Sequence, residues 1–352
     1  MVFKKSNQLV GLDIGSSFIK VAEVKTTPKG PILKKFGLEK TPTGAIVEGR
    51  IVDMESVAQV IRTLLRKNKI KEKHVAISTG GHSVVIKTIT TAKAPEKELH
   101  ASIHSEAEQY IPYDIDDVNI DYHVLGDSEF SADQLNVLLV AVKKDLVAEY
   151  IDLINMAGIH PSVIDVDTFA LQNIYETIPT EDTSKVTLLI DIGYSKTSLN
   201  ILQDNTSLMM RDNLSGSKQI VEDLQAQTEC SIEDAELVIS GHAIESIPAD
   251  TINTIYTNIS SNWCSEIHEV IRTFQANTSD KAVEKVILSG GSIFMPGFID
   301  NLNAELGISI SIINPFEGLI VDSKKYDDSY LTSVSPQAPI ALGLALRHLD
   351  DK

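Results

Sequence analysis

Apolar and polar positions mark out three strands at the start of the chain. Leu9–Ile14, Phe18–Lys25 and Ile32–Glu39 are apolar-rich runs, separated by Gly15-Ser16-Ser17 and by Thr27-Pro28-Lys29-Gly30-Pro31. Gly, Ser and Pro clusters between β-prone runs predict turns. The period then changes. Val57, Val60, Ile61, Leu64 and Leu65 recur at helical spacing, and Asp53 stands where an N-cap belongs. His74–Ser78 predicts the next strand. After Gly80-Gly81 comes a strand–helix–strand–strand–helix block: Val84–Thr90, a helix from Pro95 to Pro112 (Leu99, Ile103, Tyr110 and Ile111 on one side), 114–125, Gln134–Val142, and a helix capped by Asp145 and ended by Gly158 and Pro161. Val137–Val142, the longest apolar run, predicts a buried strand.

The second half opens in the same way as the first. Val186–Leu202 predicts strand, polar turn, strand, and Ser207–Asp212 adds a third strand. A helical region is expected over about 217–280, with Trp263, Ile267, Val270, Ile271 and Phe274 as a core stripe. Lys285–Leu288 predicts a strand before Gly290-Gly291, followed by a helix, a short strand at 309–313 and a closing helix with Pro339 in its first turn.

Placing the two halves together reveals a repeat. Leu12-Asp13-Ile14-Gly15-Ser16-Ser17 and Ile190-Asp191-Ile192-Gly193-Tyr194-Ser195 share the pattern apolar–Asp–Ile–Gly–polar–Ser, 178 positions apart from Asp13 to Asp191. Similarity at half-length implies two related domains, with a ligand cleft between them. The residue types suit a polyphosphate carrying a metal. Glycine lets backbone approach a ligand, turn amides form anion nests, and Ser16, Ser17, Ser195 and Thr197 offer hydroxyl donors. Asp13 and Asp191 suit Mg²⁺ held through its waters, and Lys20 suits a terminal phosphate. On this reading Asp13 is an unpaired turn carboxylate, and Asp13→Ala is expected to leave the fold intact. Neither G-x-x-x-x-G-K-[ST] nor a G-x-G-x-x-G opening a helix after the first strand is present. Ser289-Gly290-Gly291-Ser292 is the candidate for close approach to an adenine.

Charge and cysteines narrow the class. With 31 basic and 49 acidic residues the net charge is −18, which disfavours a nucleic-acid surface. Cys230 and Cys264 form no CxxC pair and read as filler in a reducing compartment. No secretory signal and no run near the length of a membrane span is read, so a cytoplasmic location is expected. Weaker signals are set aside. His100 and His104 are i, i+4 on a helix but lack the metalloprotease Glu. Asp114, Asp116 and Asp117 lack the calcium-loop glycine and glutamate. Lys4 and Lys5 are too few for a lipid anchor.

In this order, the two hairpins and the Gly-Gly turn resemble the actin-like ATPase superfamily. The resemblance implies an α/β, actin-like fold: two facing α/β domains around a nucleotide cleft, with a small inserted α+β domain. It implies a first core domain at 1–82 (completed by about 162–182 and 336–352), an insert at 83–161 and a second core domain at 183–335. Asp167–Ile178 and Ala338–Ala345 resemble the two interdomain helices. The implied ATP and Mg²⁺ site comprises Asp13, Gly15, Ser16, Ser17 and Lys20, then Asp191, Gly193, Tyr194, Ser195, Lys196 and Thr197, with Gly216, Lys218, Gly290, Gly291 and Ser292. Asp13 and Asp191 face the metal. No residue is assigned as general base, so at most slow hydrolysis is expected.

Within the superfamily, Ser105–Leu125 of the insert resembles the PilM family of type IV pilus assembly proteins. That resemblance covers essentially the whole chain. It implies an ATP-binding scaffold that takes the N-terminal cytoplasmic tail of PilN between the first core and the insert. Through PilN and PilO it would sit at the inner membrane and link to the pilus motor ATPases, with self-association left open. Two alternatives stay open: a small-molecule kinase of the same superfamily, and an FtsA-like filament former. The end at Leu346–Lys352, without an amphipathic tail, is read as favouring PilM over FtsA.

Overall fold

A computed structural model of the chain describes residues 8–128, 131–179, 182–278 and 281–349. Lys4 and Lys5 lie outside them. The first core begins with β1 (Val10–Ile14), β2 (Phe18–Lys25) and β3 (Ile32–Lys40), then a small hairpin, β4 (Ile46–Val47) and β5 (Arg50–Ile51). Helix α1 (Met54–Lys67) and β6 (His74–Thr79) follow. Asp53 caps α1 by accepting the Ser56 N–H. The predicted stripe is the inner face of α1, where Val57, Ile61, Leu64 and Leu65 are buried and Val60 packs beside them. Each such side chain contributes about 1.5–3 kcal/mol when fully buried.

The insert contains β7 (Val84–Ala92), α2 (Glu96–Ala107), β8 (Val118–Asp127) and β9 (Gln134–Lys143). Its antiparallel sheet has the order β7-β9-β8. Helix α2 stops at Ala107, short of Pro112. Ile111 precedes a proline, which disfavours helix; it is nonetheless buried in the insert core, while Tyr110 is exposed. Along β9 only Val137, Leu139 and Ala141 are fully buried, so the longest apolar run is covered on one face by α2 rather than on both.

Next come α3 (Lys144–Met156), β10 (His160–Val166) and α4 (Asp167–Tyr175). Lys143, not Asp145, is the N-cap of α3; the Asp145 carboxylate instead meets Arg50 at 2.9 Å. Pro161 lies inside β10 beside a register shift, a place that tolerates proline on an edge strand. Leu146, Tyr150, Leu153 and Ile154 of α3 join the core of α1 and the first sheet. Within the expected insert of 83–161, α3 thus packs on the first core rather than on the three-stranded sheet.

The second core holds β11 (Thr187–Ile192), β12 (Thr197–Gln203), β13 (Thr206–Asn213), α5 (Lys218–Thr228), α6 (Ile232–Ile239) and α7 (Ala249–Asn277). The chain continues through β14 (Lys285–Ser289), α8 (Phe298–Leu306), β15 (Ser309–Ile312), α9 (Asp328–Val334) and α10 (Pro339–Leu344). Trp263 and its stripe are buried, with the Trp263 ring edge-on to Phe298 at 5.3 Å. Cys264 is buried and Cys230 half-buried.

The repeat in sequence is a repeat in topology. The sheets run β10-β6-β1-β2-β3 and β13-β12-β11-β14-β15. In each, three antiparallel strands joined in series are extended by two parallel strands, one beside the first strand and the other beyond it. Helices α4 and α10 pack together between the halves. Gly343 permits that approach: a Cβ there would fall 1.8 Å from the Ala170 carbonyl oxygen.

Candidate functional site

Each sheet ends in a hairpin tip, and the two tips face one cleft with a cavity of about 540 Å³, within the usual size range for a small-ligand site. The hairpins are built alike. Gly15 N–H donates to the Phe18 carbonyl at 3.2 Å, and Gly193 N–H to the Lys196 carbonyl at 2.9 Å. A hydroxyl then pins each glycine carbonyl: Thr41 donates to Gly15 and Ser292 to Gly193. The glycine amides thus close the turns instead of cradling an anion. Seryl groups at the tips meet across the cleft, where Ser195 Oγ donates to Ser16 Oγ at 2.6 Å.

The strand-end carboxylate of the first hairpin has a partner. Asp13 and Lys20 face each other in the β1–β2 register, so their side chains emerge side by side. Lys20 Nζ lies 2.9 Å from Asp13 Oδ2, and both groups are largely buried. The expected unpaired turn carboxylate is in fact half of an ion pair. Burial pushes the Asp13 carboxyl up, which the Lys20 ammonium only partly offsets. Burial opposes charge on Lys20 too, but Asp13 overcomes it and holds the amine above its ordinary value.

In the second hairpin the position opposite Asp191 is Ser198. Asp191 accepts instead from Ser289 Oγ at 2.7 Å, from the neighbouring β14. Burial pushes Asp191 up to about 6, with the Ser289 hydroxyl and the charges of Lys20 and Lys196 acting against it.

A third carboxylate, which sequence reading missed, completes the site. Asp167 opens α4 directly after β10, the same strand-end placement that marks Asp13 and Asp191. It accepts from Ser78 Oγ at 2.5 Å and pairs with Lys196 at 2.5 Å. Although burial works against its charge, Lys196 holds Asp167 below its ordinary value. Lys40 and Glu236, also missed, meet at 2.6 Å across the cleft mouth, one from each core. Phe294 and Leu214 present exposed apolar surface along the same wall.

Not every expected residue reaches the cavity. Asp13, Gly15, Ser16, Ser17, Lys20, Asp191, Gly193, Tyr194, Ser195, Lys196, Gly290, Gly291 and Ser292 line it. Thr197 is buried and donates to the Ser215 carbonyl at 2.8 Å, so its hydroxyl is spent on the fold. Gly216 lies against the Gly193 and Tyr194 carbonyls, beneath the turn. Lys218 pairs with Glu222 on α5, outside the lining, while its backbone N–H holds the Tyr194 carbonyl. Gly290 has φ +97°, and a Cβ there would fall 2.2 Å from the Ile192 carbonyl oxygen. That glycine brings β14 against the second hairpin, leaving Gly291 as the open approach.

Five carboxylates (Asp13, Glu48, Asp167, Asp191, Glu236) against three ammonium groups (Lys20, Lys40, Lys196) leave the cleft lining two negative charges in excess. Among the described residues no three His, Cys, Asp or Glu side chains gather closely enough to hold a metal directly. This donor set fits Mg²⁺ held mainly by its own waters and by phosphate oxygens.

Two sheets of matching order, with polar-tipped hairpins facing one cleft, define an actin-like fold with a small inserted domain. The chain belongs to the family of type IV pilus assembly protein PilM, whose model matches residues 11–349. A solved PilM-PilN type IV pilus biogenesis complex is similar at 28% identity and TM-score 0.88, over 98% of this chain and 99% of that one. The ethanolamine utilization protein EutJ from Carboxydothermus hydrogenoformans shares the fold alone, at 15% identity and TM-score 0.55, over 96% of this chain and 89% of that one.

Proposed function

We propose that this chain is a nucleotide-binding scaffold of the pilus assembly platform that seats the N-terminal cytoplasmic tail of PilN. The observation that carries this reading is the near full-length match to a PilM-PilN complex. A second cavity, of about 380 Å³, offers a seat. It lies at the root of the insert, bordered by Val84–Lys87 of β7, Tyr110, Pro112, Thr168 and 210–212 of β13. Both β7 and β13 are edge strands, and an edge strand can hydrogen-bond an extended peptide. Among the described residues no helix is long and apolar enough to cross a membrane. Attachment to the inner membrane through PilN, within reach of the motor ATPases, is part of the same proposal.

In the first cavity the proposed ligand is Mg·ATP, whose polyphosphate supplies one anion in contact with both halves. Ser16, Ser17 and Ser195 donate to its oxygens from the two hairpin tips. Lys20 and Lys196 offset its charge, while Asp13 and Asp191 accept from waters on the metal. Gly291 gives the base its approach beside Phe294 and Leu214. A ligand that touches both domains favours the closed arrangement by its difference in affinity between the two states.

The test is calorimetric titration of the full chain with the PilN N-terminal peptide, with and without Mg·ATP. Saturable binding, lost in Ile86→Glu at the second cavity, is the expected result. No binding in either condition refutes the PilN assignment, and equal affinity in both refutes the coupling.

A further inference from the structure

Lys196 contacts one carboxylate from the lining of each cavity. Its Nζ lies 2.5 Å from Asp167 Oδ2 and 3.6 Å from Asp212 Oδ2. Lys196 and Asp167 line the nucleotide cleft, whereas Asp212 lines the cavity at the insert root. Asp212 Oδ2 also accepts the Gly81 N–H at 2.5 Å. Gly81 opens the short 3-10 turn Gly81–Ser83 that leads directly into β7. A chain of polar contacts therefore links Asp167, Lys196, Asp212 and Gly81, and Gly81, which borders the cleft as well, leads into β7 of the insert. The chain of contacts crosses between cores twice, because Asp167 and Gly81 belong to the first and Lys196 and Asp212 to the second. The side chains are sheltered, with Asp167 14%, Asp212 20% and Lys196 24% exposed, so water screens these charges less than at an open surface.

We propose that Lys196 is a positioning residue that relays occupancy of the nucleotide cleft to the cavity at the insert root. An anion at the second hairpin draws the ammonium toward the cleft. The contact it gives up first is the longer one, to Asp212. A sheltered carboxylate that loses its cation is costly in place. Asp212 then turns to the water of the second cavity and releases the Gly81 N–H, which loosens the hold of β13 on the root of β7. By linkage the reverse follows: a ligand that engages Asp212 from the second cavity frees Lys196 for the cleft and tightens anion binding. This inference rests on the reading of the cleft as a nucleotide site.

Hydrogen exchange and calorimetry on the full chain test it, with Mg·ATP as the probe, in wild type and Asp212→Asn. Asparagine keeps an acceptor for Gly81 but has no charge to hold Lys196. In wild type, Mg·ATP is expected to speed exchange over 81–87 by three- to tenfold. In Asp212→Asn that response is lost, and Mg·ATP binds several-fold more tightly because Lys196 is already free to face it. A merely structural role for Asp212 would weaken binding instead. Binding to wild type without faster exchange over 81–87, or a full exchange response in Asp212→Asn, overturns the relay alone. Absence of Mg·ATP binding to wild type overturns the nucleotide reading and the relay together.

Discussion

Ser195 Oγ donates a hydrogen bond to Ser16 Oγ at 2.6 Å, joining hairpin tips 179 residues apart in the chain and on different cores. The contact holds the cleft closed at the point where a polyphosphate would touch both halves. Each hydroxyl must exchange its partner when an anion enters.

That exchange predicts a small effect on stability and a larger one on binding. Ser195→Ala removes one neutral hydrogen bond, worth about 0.5–1.5 kcal/mol. Mg·ATP affinity is expected to fall about three- to tenfold by calorimetry, with the melting temperature nearly unchanged. Unchanged affinity would remove Ser195 from the site.

The Asp13–Lys20 pair predicts a structural cost. Asp13→Ala leaves a largely buried ammonium without its carboxylate, and breaking such a pair costs about 3 kcal/mol or more. Urea denaturation should show that loss, and Asp13→Ala/Lys20→Met should recover most of it because the two substitutions are coupled. Additive losses would mean that the ion pair contributes nothing.

Asp191 predicts a dependence on pH. Its carboxyl is held at about 6 against an ordinary 3.8. Between those values the folded chain keeps this proton and the unfolded chain releases it, so stability falls as pH rises through that window. The penalty is absent below pH 3.8 and complete above about 6. Asp191→Asn keeps an acceptor for Ser289 and carries no charge. It should therefore exceed wild type by about 3 kcal/mol at pH 7.5, with that advantage falling to about 1 kcal/mol by pH 4.5. A constant difference across this range would place the titration elsewhere.

Lys40 and Glu236 close the cleft mouth with Lys40 half in water, and pairs of that kind contribute roughly 0–1 kcal/mol. Glu236→Gln should leave stability within that margin. Stopped-flow measurement with a fluorescent ATP analogue should show association and dissociation both faster, and the dissociation constant changed less than about threefold. A change in affinity alone would make Glu236 a ligand contact rather than a gate.

Much of the architecture was legible because it is written locally. Strand runs, the Asp53 cap and the α1 and α7 stripes depend on periods of two and 3.6 within short windows. The half-length repeat was visible because both hairpins keep the same Asp-Ile-Gly core. Less legible was what a distant element decided. Helix α3 follows the three-stranded sheet in sequence but packs on α1, so its place depends on a contact some ninety positions away. Thr197 carries the residue type of a phosphate donor, but the Ser215 carbonyl claims it. Ser292 lines the cavity as its position beside Gly290-Gly291 implied, but its hydroxyl also pins the second hairpin.

By itself, the sequence determined the paired hairpins, the acidic strand ends and the glycine turn, since these are properties of residue type and spacing. Only the tertiary structure decided how their charges are satisfied. Lys20 meets Asp13 because strand register makes them cross-strand neighbours, and Lys196 meets Asp167 because folding brings two cores together. Among the described residues, Asp191 receives a hydroxyl and no ammonium at hydrogen-bonding distance, because Ser198 stands at the position that Lys20 holds in the other half. Pairing and desolvation are set by distances across the fold, which residue order alone does not encode.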